Sequence, residues 1–207
     1  MKPFRCHKEK GLTLIELLVA VALSGIVISA IYSVYISQQR SYNIQEQMAE
    51  MQQNVRVAMD TMVRDIRMAG CDPTGGAGAR ILLAETNTIQ FTSDLNGDGD
   101  LIYVDKNNKI RNDPNENITY SLYDSNDADT LDDDLGRDTG GGNQPVAENI
   151  SSLICEYLDE DGEVTADLNQ IRGVRISLTA RTDKPDPNYG YRTRTLTTVV
   201  KVRNMGL

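Results

Sequence analysis

The chain has 207 residues, enough for one modest domain plus an anchor, with average charge content, few aromatics and no Trp. Its formal charge is −9. The first eleven residues carry Lys2, Arg5, Lys8 and Lys10 against Glu9, a net +3, so the remainder stands at −12. That balance excludes a generally basic nucleic-acid binder and suits a soluble face that attracts cations.

The leader, residues 1–11, is basic and ends in Gly11. It holds the only histidine, His7, and one of three cysteines, Cys6. With the leader removed, no histidine remains. That takes away the usual general base and the commonest metal ligand. No G-x-S-x-G, H-E-x-x-H or P-loop pattern occurs, so a nucleophile–base enzyme has no support, although an all-carboxylate hydrolase leaves no motif to search for.

From Leu12 to Ile36 the chain is apolar with one charge, Glu16. As a helix this stretch spans roughly 37 Å, enough to cross a bilayer. The basic leader sets the N-terminus in the cytoplasm and the rest outside. A cleaved secretory signal would have a shorter apolar core and a small-residue site at its far end, whereas here polar helix continues directly. A carboxylate that near the start of a membrane-length run is costly in lipid, which marks Glu16 as functional. The alternative is a side chain that snorkels to the cytoplasmic headgroups.

No proline occurs between Pro3 and Pro73, so the helix is expected to continue over residues 37–70. Ile44, Met48, Met51, Val55, Met59, Met62, Ile66 and Ala69 recur at gaps of three and four, giving one apolar stripe. Gly70 is a C-terminal stop, with Pro73 just beyond. The whole helix is then about 58 residues, near 87 Å. The methionines suit packing on an irregular sheet better than a coiled-coil seam.

Residues 71–207 read as an extracytoplasmic β-rich head. ARILLA, NTIQFTS, LIYVD, NITYSLY, ISSLICEYLD, GVRISLTART and RTLTTVVKVRN are rich in β-branched and aromatic residues. Several alternate with period two, as in an antiparallel sheet with one wet face. DEDG at 159–162 is a turn into a short following strand. A sheet resting on the amphipathic half of the helix makes the class α+β.

Within the head, Asp94, Asn96, Asp98, Gly99, Asp100 and Asp105 fit D-x-N-x-D-G-x5-D. Calcium takes six to eight oxygens, and such a spacing converges side chains from positions one, three, five and twelve with a carbonyl from seven. The flanks are strand-like, so this is no EF-hand; the alternative is a solvated hairpin turn. A second acidic tract holds Asp124, Asp127, Asp129, Asp132, Asp133, Asp134 and Asp138 against Arg137. It reads as a long mobile loop, a cation site or a partner-binding arm. Residues 170–207 are basic by contrast, with Arg172, Arg175, Arg181, Lys184, Arg192, Arg194, Lys201 and Arg203. Pairing across the sheet or contact with a neighbour's acidic loop accounts for them. A nucleic-acid partner is disfavoured, because no aromatic residues interleave the basic ones. Cys71 and Cys155 lie on the extracytoplasmic side, where either a disulfide between them or two separate buried thiols fits. No CxxC occurs, so zinc has no support.

The run Gly11-Leu12-Thr13-Leu14-Ile15-Glu16-Leu17-Leu18-Val19 resembles the class III signal of type IV pilins and of type II secretion pseudopilins. RMAG at 67–70, IQFTSDLNGDGD at 89–100 and TTVVKVRN at 197–204 are similar to the PilW family of minor pilins. The resemblance implies a type IV pilin-like fold: a long helix, membrane-spanning in its first half, packed on an antiparallel sheet. It implies cleavage between Gly11 and Leu12 by a prepilin peptidase and N-methylation of Leu12, although most members have Phe or Met at that position. It also implies a job for Glu16, pairing with the N-terminal ammonium of a neighbouring subunit in the filament so that each buried charge compensates the other. The implied partners are other minor pilins, the major pilin, the inner-membrane assembly platform and membrane lipid. The implied place is the bacterial inner membrane with the head in the periplasm, then a pilus. The role is that of a minor pilin that primes assembly at or near the tip; a J-type pseudopilin and a calcium-dependent pilus adhesin are the alternatives.

Overall fold

The computed structural model describes residues 11–124, 134–186 and 189–205. One long helix, α1, runs Leu14–Met68 (55 residues). Residues 1–46 and 47–207 form separate compact units. In the first unit the apolar side chains of α1, from Leu14 through Tyr35, are exposed. In the second, the stripe expected from the sequence is the buried face: Met51, Val55, Met59, Met62 and Ile66, joined by Ala58. Burying each of these large side chains contributes about 1.5–3 kcal/mol.

The helix stops where the sequence breaks its pattern. Gly70 adopts φ 73°, and the Cys71 N–H donates to the Met68 carbonyl at 3.0 Å. A Cβ at Gly70 would also meet Met205 Sδ at 2.9 Å. Only glycine takes both the left-handed backbone and that close approach without strain.

Among the described residues the head holds two antiparallel sheets and a separate hairpin rather than one sheet. Strands β1 (Ile81–Ala84), β2 (Thr88–Thr92), β5 (Asn117–Tyr123), β6 (Asp134–Asp138) and β7 (Asn143–Ala147) form a five-stranded sheet in the order β1-β2-β5-β6-β7. Strands β8 (Ile150–Leu158), β9 (Gly173–Arg181) and β10 (Thr193–Lys201) form a three-stranded sheet in the order β10-β9-β8. Strands β3 (Ile102–Val104) and β4 (Ile110–Asn112) pair only with each other among the described residues. Alternation in β8 and β9 sends Leu153, Cys155, Tyr157, Val174, Ile176 and Leu178 inward, as period two requires. One hydrophobic core joins the helix stripe, Ile89, Phe91, Ile118 and Leu135 of the large sheet, and the inner face of the small one.

Polar contacts fix the layers. Asp65 Oδ2 accepts from Tyr120 Oη at 2.7 Å and from Arg137 Nε at 2.8 Å, so the helix is tied to β5 and β6. The Cys155 N–H donates to the Thr86 carbonyl at 2.7 Å, and Tyr157 Oη donates to the carbonyls of Glu85 and Thr88. These bonds tie the small sheet to the β1–β2 turn.

The tract read as a long acidic loop holds strands β6 and β7, with Asp134 buried at the start of β6 and Leu135 in the core. The core-facing pattern is short and masked by aspartates, and pairing to β5 recruits it nonetheless. Asp127, Asp129, Asp132 and Asp133 lie outside the described residues. After the DEDG turn the short strand shrinks to a single bridge, Leu158 with Val164. The basic C-terminal region is used locally: Arg175 pairs with Glu156 at 2.5 Å, Arg192 lies 3.9 Å from Asp186, and the Arg181 guanidinium stacks 4.6 Å from the Tyr191 ring.

Candidate functional site

The start of α1 is the first candidate site. Gly11 and Leu12 precede the helix in non-helical backbone, and Leu12 is 81% exposed. Thr13 is the N-cap, and Glu16 sits three residues on, in the first turn. Glu16 Oε2 accepts from the Thr13 N–H at 2.8 Å and from Thr13 Oγ1 at 2.8 Å, while the Glu16 N–H donates to Thr13 Oγ1 at 3.3 Å. This reciprocal pair is a capping box, which satisfies helix N–H groups that have no carbonyl partner. The T-x-x-E spacing signals it, yet the reading of Glu16 from its charge alone passes over Thr13.

Further along the apolar face, Ser24, Ser29 and Ser33 donate to the carbonyls four residues back, at 2.8, 2.8 and 2.9 Å. Their hydroxyls are thus satisfied within the helix, which lowers the cost of placing them in lipid.

The second candidate is the acidic turn after β2. Asp94 is fully buried. Its Oδ1 accepts from the Gly97 N–H at 2.6 Å and its Oδ2 from the Gly99 N–H at 3.1 Å. Gly99 has φ 89°, and a Cβ there would meet Thr74 Oγ1 at 3.0 Å. Asn96 and Asp98 are mutually bonded: Asn96 Nδ2 donates to Asp98 Oδ2, and the Asp98 N–H donates to Asn96 Oδ1, both at 2.8 Å. Asp100 Oδ1 accepts from the Ile102 N–H. Asp105 is placed differently from its position in the motif. It closes the β3–β4 turn, accepting from the Asn107 and Lys109 N–H groups and from Arg111 Nε at 2.9 Å. Those bonds hold its carboxyl below the usual carboxylate range. Asp113, after β4, joins the cluster instead: oxygens of Asp98, Asp100 and Asp113 lie within 4.8 Å of one another. Burial first, then the charges of Asp98, Asp100 and Asp94, push the Asp113 carboxyl up. The only sequence signal for it is a pair of acids, Asp113 and Glu116, in the Pro/Asn-rich turn before NITYSLY.

Residues 6–32 match the family model of the prokaryotic N-terminal methylation motif, and residues 44–202 match that of prepilin peptidase-dependent protein B. The chain belongs to the prepilin peptidase-dependent protein B family. No curated protein matches the chain. Membership makes it a type IV pilin-like protein with a class III signal, and the long helix on antiparallel sheets agrees with that. The match falls on the protein B family, and the likeness to PilW remains a resemblance of short segments.

Both matched families are pilin-like and structural rather than enzymatic. The description of the protein B family names prepilin peptidase as the partner on which its members depend. The signal and the exposed apolar helix fit a membrane-anchored pilin. In the structure of this protein B family member Cys71 and Cys155 are separate free thiols. Cys155 is buried in the small sheet, where desolvation pushes its thiol up to about 12, and Cys71 is half-buried beyond the helix end. They are fixed by different elements, one inside the core and one at its margin.

Proposed function

We propose that this chain is a minor pilin of a type IV pilus. It is inserted in the inner membrane with its N-terminus cytoplasmic and its head periplasmic, cut between Gly11 and Leu12, and methylated on Leu12. With other minor pilins it then primes assembly of the major pilin on the inner-membrane platform and stays at or near the tip. The observation that carries this reading is the apolar face of α1, whose side chains from Leu14 to Tyr35 are exposed among the described residues. Such a surface has to be covered by lipid first and, once extracted, by the matching helices of other subunits.

Glu16 supports the same sequence of events. In the single chain its carboxylate caps its own helix. In a filament it is near enough to the helix start to exchange that cap for the ammonium of a neighbour's N-terminus, an ion pair in a medium where an unpaired charge is strongly disfavoured.

The test is a deletion in the native host, scored for surface pili and for secreted enzymes. Loss of pili with normal secretion, restored by the intact gene, is the expected result. Normal piliation with lost secretion would transfer the protein to a type II pseudopilus as its J-type subunit. Normal piliation with lost surface binding would make it an adhesin carried by the pilus.

A further inference from the structure

The turn between β2 and β5 contains an electrostatic arrangement that the filament role does not use. Three carboxylates, Asp98, Asp100 and Asp113, bring oxygens within 4.8 Å of one another. Asp98 and Asp100 are open to water, and a solvated acidic cluster needs no ligand. Asp113 is different: it is only 8% exposed and its Oδ2 has no hydrogen-bond partner. Glu116, three residues on, is 1% exposed. Its Oε1 accepts from the Leu95 and Asn96 N–H groups, at 2.9 and 3.1 Å, while its Oε2 is also unpartnered. A buried polar atom left without a partner is destabilising, and more so when charged. The buried, unpartnered oxygen of Asp113, on a carboxylate that lies against those of Asp98 and Asp100, calls for a positive charge.

We propose that this turn binds a calcium ion, with Asp98, Asp100 and Asp113 as its carboxylate ligands. The ligand set differs from the one that the linear motif suggests. Asp94 shapes the turn through the Gly97 and Gly99 N–H groups, and Asp105 is committed to Arg111 and the β3–β4 turn. Glu116 supports the turn from behind through Leu95 and Asn96. The donors are all hard oxygens, without imidazole or thiolate, which selects calcium or magnesium over zinc or copper. Three carboxylates on an irregular turn, completed by carbonyls and water, suit the flexible coordination of calcium better than the strict octahedron of magnesium.

The position gives the ion a mechanical effect. Asp98 and Asp100 precede β3, Asp113 follows β4, and the Asp113 N–H already donates to the Leu101 carbonyl at 3.0 Å. A cation there clips together the two arms of the hairpin at its base. Because β3 and β4 pair only with each other among the described residues and are exposed along their length, the base is what sets the direction of the hairpin.

The experiment uses the full chain in detergent micelles, stripped with chelator and titrated with calcium chloride by calorimetry. Thermal unfolding and trypsin cleavage at Lys106, Lys109 and Arg111 are followed in parallel. The expected dissociation constant is on the order of 0.1–1 mM, the range of extracellular calcium modules. The melting temperature rises, and hairpin cleavage slows. Asp100→Asn, an exposed change that leaves the fold intact, weakens binding at least about tenfold by reducing ligand charge, as does Asp113→Asn, while Asp105→Asn leaves it unchanged. Absence of any calcium effect on the unmodified chain would overturn the proposal. So would a ligand pattern in which Asp105→Asn abolishes binding and Asp100→Asn does not, or equal binding of magnesium.

Discussion

Asp65 on the helix and Arg137 on β6, 72 residues apart, form an ion pair at 2.8 Å with both side chains about four-fifths covered. Tyr120 donates to the same Asp65 oxygen, and Arg137 Nη1 donates to Asn115 Oδ1 at 3.0 Å. The group therefore links α1, β5, β6 and the turn before β5. Burial and the Asp65 carboxylate push the Tyr120 hydroxyl far above its ordinary range, so it stays a donor at any physiological pH.

Asp65→Ala leaves a covered guanidinium and a buried phenol without their acceptor. It is expected to destabilise the head by about 2–4 kcal/mol, read from the urea midpoint of the full chain by circular dichroism. Tyr120→Phe removes one hydrogen bond only and is expected to cost about 1 kcal/mol. If Asp65→Ala proved as mild as Tyr120→Phe, the ion pair would be a bystander and the apolar stripe alone would hold the helix.

The thiols give a second check. A maleimide at pH 8 is expected to label Cys71 in the folded protein and Cys155 only after denaturation, with peptide mass spectrometry assigning the sites. Finding neither thiol reactive until a reductant is added would mean that the two are bonded. The raised pKa of Cys155, about 12 against 9.0, also has a pH consequence. The neutral thiol is the folded form, so its contribution is fully present below pH 9 and is lost as pH rises toward 12, because the unfolded chain ionises first. Thermal stability should fall over that window, and less steeply in Cys155→Ser.

Glu16 has a structural and a charged role that one substitution separates. Glutamine at the third helical position still completes a capping box but carries no charge. Glu16→Gln is therefore expected to be inserted and processed normally and to fail in assembly, as Glu16→Ala does. Pili at the normal level in Glu16→Gln would show that capping, rather than charge pairing, is what the carboxylate does.

Much of this molecule is written locally and some of it is not. The apolar run, the stripe from Met51 to Ile66 and the stop at Gly70 are short-range patterns with one physical meaning, and they reappear in α1 with its end at Met68. Period-two alternation likewise marks β8 and β9. β6 was hidden because Leu135 sits among aspartates, and only pairing with β5 makes it a strand. Asp65 reads as one more charge on the rim of the stripe until Tyr120 and Arg137 are brought to it. The acidic turn shows the same division. Asp94, Asn96 and Asp98 announce a turn, but the exchange of Asp105 for Asp113 is decided by a hairpin register, Ile102 with Asn112 and Val104 with Ile110.

The central claim is that this chain is cut and methylated as a filament subunit, and the mature N-terminus tests it most directly. Intact-mass and peptide mass spectrometry of protein from native membranes should find a chain starting at N-methylated Leu12, with Gly11→Ala remaining at full length. A chain that keeps Met1, or one that begins beyond Ile36, would contradict the account.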